Sequence, residues 1–102
     1  MIRYEQNARI HLLATVVVIA AGLLLGLNRY EWFGICVAIG IVWSAEAFNT
    51  AIEKLVDLIS TERRPEAGLV KDIAAGGVFI CALIAFIIAL LIFLPHLIPD
   101  LR

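Results

Sequence analysis

Four polar residues of one segment lie on a single face of a predicted helix: Glu46, Asn49, Glu53 and Asp57. At 100° per residue they fall within about 80° of rotation, and at 1.5 Å per residue they span roughly 16 Å. We call these four residues the acidic stripe. The stripe follows an apolar run, and ionisable groups at membrane depth are costly enough to indicate a functional site. At an apolar–aqueous boundary, carboxylates in this arrangement suit a divalent cation and a polar reaction.

The composition is that of a membrane protein. Of the 102 residues, 63% are hydrophobic, whereas soluble domains average about 45–50%. The net charge is only −1, so no nucleic-acid partner is predicted. Cys36 and Cys81 lie far apart in apolar runs and have neither metal-binding nor redox spacing.

Three apolar segments are long enough to cross a bilayer. A helix needs about 20 residues to span a hydrocarbon core roughly 30 Å thick, and the chain offers three such runs. We therefore predict an all-α integral membrane protein with three transmembrane helices per subunit. The predicted spans are at about residues 10–27, 32–58 and 72–95, within a single domain of residues 1–102. Pro95 and Pro99 are expected to end the third helix.

Basic residues indicate the orientation. Lysine and arginine are concentrated before the first span and around the connection between the second and third: Arg3, Arg9, Lys54, Arg63, Arg64 and Lys71. By the positive-inside rule, the N-terminus and the 60–72 loop face the cytoplasm. Three helices cannot enclose the acidic stripe, and a stripe facing lipid is untenable, so we expect an oligomer that buries it.

The positions of the ionisable residues predict a reaction. Glu46 follows about 14 apolar residues, roughly 21 Å from the outer end of its helix, and can act there as a general base. Glu53 lies about 10 Å nearer the cytosol, where it could share a hard divalent cation with Glu5. Lys71, followed by Asp72, can pair with a phosphate. Together these residues suggest phosphoryl transfer to a lipid alcohol.

Simpler interpretations apply to several of these residues. His11, in an otherwise apolar segment, is more readily explained by packing or by the interface than by catalysis. Lys71 could serve only as a positive-inside residue. The loop around Glu62, Arg63 and Arg64 is by default solvated, although the two arginines could contact a nucleotide. The chain has neither a GxxxxGK[ST] nor a kinase GxGxxG motif, so neither common phosphate-binding loop is available.

Three blocks of sequence resemble the small bacterial membrane diacylglycerol kinase and undecaprenol kinase family. The segment 46–57 is similar to the family signature, and the segments 5–11 and 71–75 agree with it in sequence and spacing. The resemblance covers nearly the whole chain, from Glu5 to about Leu94. It implies a homotrimer in the bacterial cytoplasmic (inner) membrane that uses ATP and Mg²⁺ to phosphorylate the hydroxyl of a membrane lipid.

The resemblance also implies roles for individual residues. Glu46 matches the catalytic acid/base, and Glu5 and Glu53 match the metal ligands. ATP contacts fall on Glu5, Glu53, Glu62, Arg63, Arg64, Lys71 and Asp72. Substrate contacts fall on Glu46, Asn49 and Ala75.

Two further expectations follow from the resemblance. Family members usually carry an amphipathic interfacial helix before the position of Glu5, so this chain is expected to be either a fragment or a trimmed member that lacks that helix and binds ATP more weakly. The form of the segment 5–11 is more similar to the undecaprenol kinases, but the site residues leave undecaprenol and diacylglycerol both open as acceptors. The alternative is a non-enzymatic oligomer, either an ion or metal pathway or an assembly subunit. A pathway would lack polar residues between Asp72 and Pro95, and an assembly subunit leaves Glu46 unexplained.

Overall fold

Three long helices account for most of the chain. The computed structural model describes residues 2–60, 62 and 64–101, with residues 2–6 described by their backbone alone. Helix α1 is Ile2–Leu25, α2 is Arg29–Ile59 and α3 is Pro65–Leu97, followed by a short 3₁₀ turn at Pro99–Leu101. All three helices are long and apolar enough to span a membrane. The predicted all-α membrane fold with three spanning helices is therefore confirmed.

A capped turn joins α1 to α2. Gly26 has a φ of +68°, a conformation that glycine adopts without steric cost. Asn28 then begins α2: its Oδ1 accepts from the Glu31 backbone N–H at 2.9 Å, and its own N–H donates to Glu31 Oε1 at 3.0 Å. Reciprocal capping of this kind fixes where a helix starts. Gly26 and Leu27, included in the predicted first span, belong to this turn.

Helix α2 packs mainly against α3. Ile35 and Ala38 of α2 are buried, with 1% and 6% of their surface exposed. Gly34 allows close approach there, since a Cβ at this position would lie 2.8 Å from Ile92 Cδ1 of α3. Helix α1 contacts α2 more sparsely.

Most large apolar side chains remain exposed on the isolated subunit. Among the described residues, no side chain of α3 is buried, and the subunit is an elongated body of 55 × 21 × 18 Å. Its long axis exceeds a hydrocarbon core of about 30 Å. Exposed apolar surface of this extent belongs against lipid or other subunits.

Helix α3 continues past Pro95, so the prediction that Pro95 ends it is wrong. The helix runs to Leu97, and the backbone N–H of Ile98 still donates to Leu94 O at 2.7 Å. A proline removes only its own N–H donor. The residues that follow it can still donate, as the Ile98 N–H does. Pro99 lies just beyond the helix, at the start of the 3₁₀ turn.

Candidate active site

Glu46 of α2 meets a histidine of α1. His11 Nε2 and Glu46 Oε1 are 2.9 Å apart, and the two side chains are only 22% and 18% exposed. An ionised carboxylate can only accept, so with Glu46 ionised the hydrogen lies on Nε2 of His11. This bond joins the two helices at the N-terminal end of the acidic stripe.

Further contacts hold His11 in place. Trp43, one turn before Glu46, donates its Nε1–H to Thr15 Oγ1 at 3.0 Å. The Thr15 hydroxyl donates in turn to the backbone oxygen of His11 at 2.7 Å. The His11 and Trp43 rings lie 6.0 Å apart, tilted by 59°. The imidazole therefore contacts two side chains of α2, Glu46 and Trp43, and Trp43 is itself bonded to α1 through Thr15.

Two cavities meet at this pair. The first, which we call the Glu46 cavity, has a volume of about 430 Å³ and is lined by Asn7, His11, Trp43, Glu46 and Thr50 with three small neighbours, Ala8, Ala47 and Ala51. The second, which we call the apolar cavity, has a volume of about 270 Å³ and shares His11 and Trp43 with the first. Glu46 thus lines the first cavity, and its partner His11 lines both.

All three helices line the apolar cavity. Its space comes largely from alanines, because a methyl group leaves room where a longer side chain would fill it. The lining residues are Ala14, Thr15, Val18, Ile35, Ala38, Ile39, Val42, Ala82, Ala85, Phe86 and Ala89, with His11 and Trp43 at the shared end.

Glu53 is more deeply buried than its position near the end of α2 suggests. It is 8% exposed and is the one buried charged residue among those described. Asn49 Nδ2 donates to Glu53 Oε1 at 3.4 Å, while Asn49 Oδ1 is buried without a hydrogen-bond partner. A carboxylate and an unsatisfied amide oxygen form a hard donor set, which fits Mg²⁺.

The side chain of Glu5, the second predicted metal ligand, lies outside the described part of the structure. Glu5 lies in the first part of α1, where only the backbone is described. Among the described side chains, no three histidine, cysteine, aspartate or glutamate residues are close enough to hold a metal ion. The predicted pairing of Glu5 with Glu53 therefore stays a prediction.

A third cavity lies where α2 ends and α3 begins. This loop cavity has a volume of about 330 Å³ and is lined by Asp57, Ser60, Glu62, Arg64 and Lys71, together with Val56, Ala67 and Gly68. Lys71 Nζ donates to Asp57 Oδ1 at 2.6 Å, with both side chains partly exposed at 38% and 48%. An exposed ion pair is worth only about 0–1 kcal/mol, so a phosphate group can compete for the lysine.

Some predicted residues lie outside these groups. Arg63 is not among the described residues. Asp72 and Ala75 are exposed on α3 and line none of the three cavities. The structure thus divides the acidic stripe into three parts: Glu46 with His11, Glu53 with Asn49, and Asp57 with Lys71.

Sequence reasoning did not connect His11 with Glu46, although a signal was present. His11 precedes the turn at Gly26 by about 23 Å of helix, and Glu46 follows Arg29 by about 26 Å, at 1.5 Å per residue. Two antiparallel helices joined by a tight turn bring such positions to the same depth. A polar residue alone in one span is therefore expected beside a carboxylate at equal distance along the next.

The fold and the site define an integral membrane protein with ionisable groups at one end of its helices. Residues 1–93 match the family described as prokaryotic diacylglycerol kinase. The chain belongs to this family and is a lipid kinase, as its resemblance to the family predicted. The non-enzymatic alternative is therefore not supported.

Two relatives support this assignment. Undecaprenol kinase from Bacillus subtilis is 46% identical over 95 residues, covering 93% of this chain and 77% of that protein. Diacylglycerol kinase from Synechocystis is 36% identical over 94 residues, covering 91% of this chain but only 54% of that protein. No solved structure matched the chain.

Proposed function

We propose that the chain transfers the γ-phosphoryl group of ATP to the hydroxyl of a membrane lipid alcohol, with undecaprenol as the first candidate acceptor and diacylglycerol as the second. One observation carries the proposal: Glu46, a part-buried carboxylate, lines a cavity that shares His11 and Trp43 with the neighbouring apolar cavity. The greater identity to an undecaprenol kinase than to a diacylglycerol kinase supports the order of the acceptors.

The two cavities suit the two ends of a lipid alcohol. The hydroxyl enters the Glu46 cavity, while the first part of the hydrocarbon chain occupies the apolar cavity. Ligand sites of this kind are mostly apolar with a few placed polar groups. The exposed Ala75 and the part-buried Asn49 are further proposed contacts to the acceptor.

Glu46 acts as the general base. Its free carboxylate oxygen accepts the proton of the lipid hydroxyl as that oxygen attacks the γ-phosphorus. The bond from the γ-phosphorus to the bridging oxygen breaks, and ADP leaves with the electron pair. Glu46 then passes the proton to water. General-base catalysis of this type contributes about 10²–10⁴-fold to a rate.

The cytoplasmic end of the helices binds the nucleotide. Arg64 and Lys71 line the loop cavity and supply positive charge to the phosphates, with Lys71 exchanging Asp57 for phosphate oxygen. Glu62, Arg63 and Asp72 are proposed as further ATP contacts. The phosphate chain would follow the acidic stripe from the loop cavity towards Glu46.

Mg²⁺ is proposed as the metal that accompanies ATP. Glu53 and Glu5 would hold it, with Asn49 Oδ1 as a further oxygen donor. When bound, the ion neutralises negative charge on the phosphates during transfer. The unsatisfied oxygen of Asn49 beside the buried Glu53 supports this assignment.

The assembly and orientation belong to the same proposal. A homotrimer in the bacterial inner membrane would cover the open side of the acidic stripe, since one subunit leaves most of its apolar surface exposed. The basic residues place the N-terminus and the 60–72 loop on the cytoplasmic side, where ATP is present.

A transfer assay tests the proposal directly. The purified protein, in detergent micelles with Mg²⁺ and γ-labelled ATP, is given undecaprenol and diacylglycerol in parallel. We expect label in the lipid fraction, with the higher kcat/KM for undecaprenol. Equal labelling of both lipids would contradict the proposed preference for undecaprenol. No labelling of either lipid would overturn the proposed function.

A further inference from the structure

In Glu46, the proposed base, one of the two carboxylate oxygens is already hydrogen-bonded. Glu46 Oε1 lies 2.9 Å from His11 Nε2, while Oε2 accepts no hydrogen bond from the residues that the structure describes. A carboxylate held through one oxygen presents the other in a defined direction. Glu46 lines the Glu46 cavity, where the acceptor hydroxyl is proposed to lie.

We infer that His11 is a positioning residue, which orients the Glu46 carboxylate for proton abstraction by donating its Nε2 hydrogen to Oε1. The inference rests on the proposed function, because it assigns His11 a part in that reaction. His11 itself takes no proton from the lipid and need not touch it.

His11 has the rigidity that such a part requires. Its ring packs against Trp43, and Trp43 is tied back to α1 through Thr15. A glutamate has three side-chain torsions, and a bond from a fixed donor on another helix removes much of that freedom. Holding a catalytic group in near-attack geometry is worth a large part of a barrier, and a displacement of about 1 Å can cost roughly 10²-fold in rate.

A second histidine–carboxylate pair in the same chain serves as a comparison for a purely structural role. His96 of α3 and Glu31 of α2 form a second histidine–carboxylate pair at 2.8 Å, with 12% and 22% of the side chains exposed. That pair also joins two helices and has similar burial, but Glu31 lies at the capped start of α2, at the opposite end from the acidic stripe. Loss of packing alone should affect both pairs alike.

Three variants separate the two roles. His11→Phe keeps an aromatic ring beside Trp43 but removes the donor, whereas His11→Gln keeps an N–H donor of similar reach. His96→Phe makes the same chemical change in the comparison pair. For each variant, kcat and the KM values for lipid and ATP are measured, together with thermal unfolding in detergent.

We expect His11→Phe to lower kcat about 10- to 100-fold, with both KM values nearly unchanged. His11→Gln should recover most of the lost kcat, and His96→Phe should leave kcat at the wild-type value even if it lowers the unfolding temperature. Equal losses of kcat in His11→Phe and His96→Phe, or no rescue by His11→Gln, would show that His11 only packs.

A spectroscopic measurement covers the case in which a His11 variant does not fold. In the ¹⁵N spectrum of the imidazole rings, Glu46→Gln should shift the Nε2 resonance of His11 and leave that of His96 in place. An unmoved His11 resonance would overturn the inference. An inactive wild-type protein would instead overturn the proposed function, and the inference with it, so the two failures are distinguishable.

Discussion

Individual residues of the acidic stripe differ more in their surroundings than in their chemistry. Glu46 is paired with a histidine, Glu53 is buried beside an amide, and Asp57 shares an exposed lysine. These surroundings suit a base in the first position, a metal ligand in the second and a solvated charge in the third. The three positions should therefore respond differently to the same isosteric substitution.

Glu46→Gln should lower lipid phosphorylation by about 10²–10⁴-fold, because the amide keeps the shape of the side chain but cannot accept the proton. The measurement is kcat with the preferred lipid, with circular dichroism and native mass confirming that the protein folds. Glu66→Gln, an exposed position at the start of α3, is the matched control and should keep wild-type activity. Near-normal turnover in Glu46→Gln would remove Glu46 from the mechanism.

Glu53→Gln and Glu5→Gln should each raise the Mg²⁺ concentration needed for half-maximal activity, because each removes a charged oxygen ligand. A titration of activity with Mg²⁺ at saturating ATP measures the change. Asp57→Asn serves as the comparison and should shift the Mg²⁺ requirement much less. An unchanged requirement in both glutamate variants would place the metal elsewhere.

Pairs of helices create the spaces in which these residues act. Helix α1 packs closely against α2 near the turn that joins them. At Gly22 there is no room for a side chain, because a Cβ there would lie 2.7 Å from Trp32 Cη2. Further from this turn, alanines of all three helices keep the apolar cavity open. Small residues thus have two opposite uses in this bundle, contact in one place and space in the other.

Gly22→Ala should destabilise the protein by about 1–3 kcal/mol, because the added methyl group overpacks the contact with a rigid indole. Gly40→Ala adds the same group where nothing lies within 4 Å, and should be neutral or slightly stabilising, since alanine favours helix over glycine. Unfolding in a denaturing detergent series compares the two variants. Equal stability would mean that α1 does not pack on Trp32 as described.

Ala85→Leu should raise the KM for the lipid acceptor several-fold and leave the KM for ATP unchanged, because the larger side chain fills the apolar cavity. Ala20→Leu, at an exposed position of α1, is the control. Initial rates at varied lipid concentration give the comparison. If Ala85→Leu binds lipid as the wild type does, the hydrocarbon chain lies outside this cavity.

One subunit alone does not shield its own site from lipid. Three helices with few buried side chains leave a wide apolar surface open, and of the four residues of the acidic stripe only Glu53 is fully buried. In a bilayer the apolar surface is satisfied by lipid, but the carboxylates are not. Self-association is the simplest way for one chain to cover them.

We expect a native mass in mild detergent of three times the 11.2 kDa of one chain, after correction for bound detergent. Multi-angle light scattering measures this mass. Dilution into excess detergent should reduce mass and activity together, because the site depends on the assembly. A fully active monomer would contradict the proposed trimer.

Local patterns were enough to predict three long apolar helices, a membrane protein and a helical segment that carries the stripe. Apolar length, the helical period and charge at the ends each act within a few turns of one segment, so they can be read without knowing the neighbours. The prediction failed at Pro95, where the loss of one donor did not end α3.

Contacts between helices were decided only by the tertiary structure. His11 was interpreted as a packing residue because nothing within its own segment relates it to Glu46, which lies 35 positions away. The pairing of Lys71 with Asp57 and the apolar cavity likewise depend on how α1, α2 and α3 meet. Helix crossing angles and side-chain rotamers arise from packing across all three segments at once, and no periodicity within one segment encodes them.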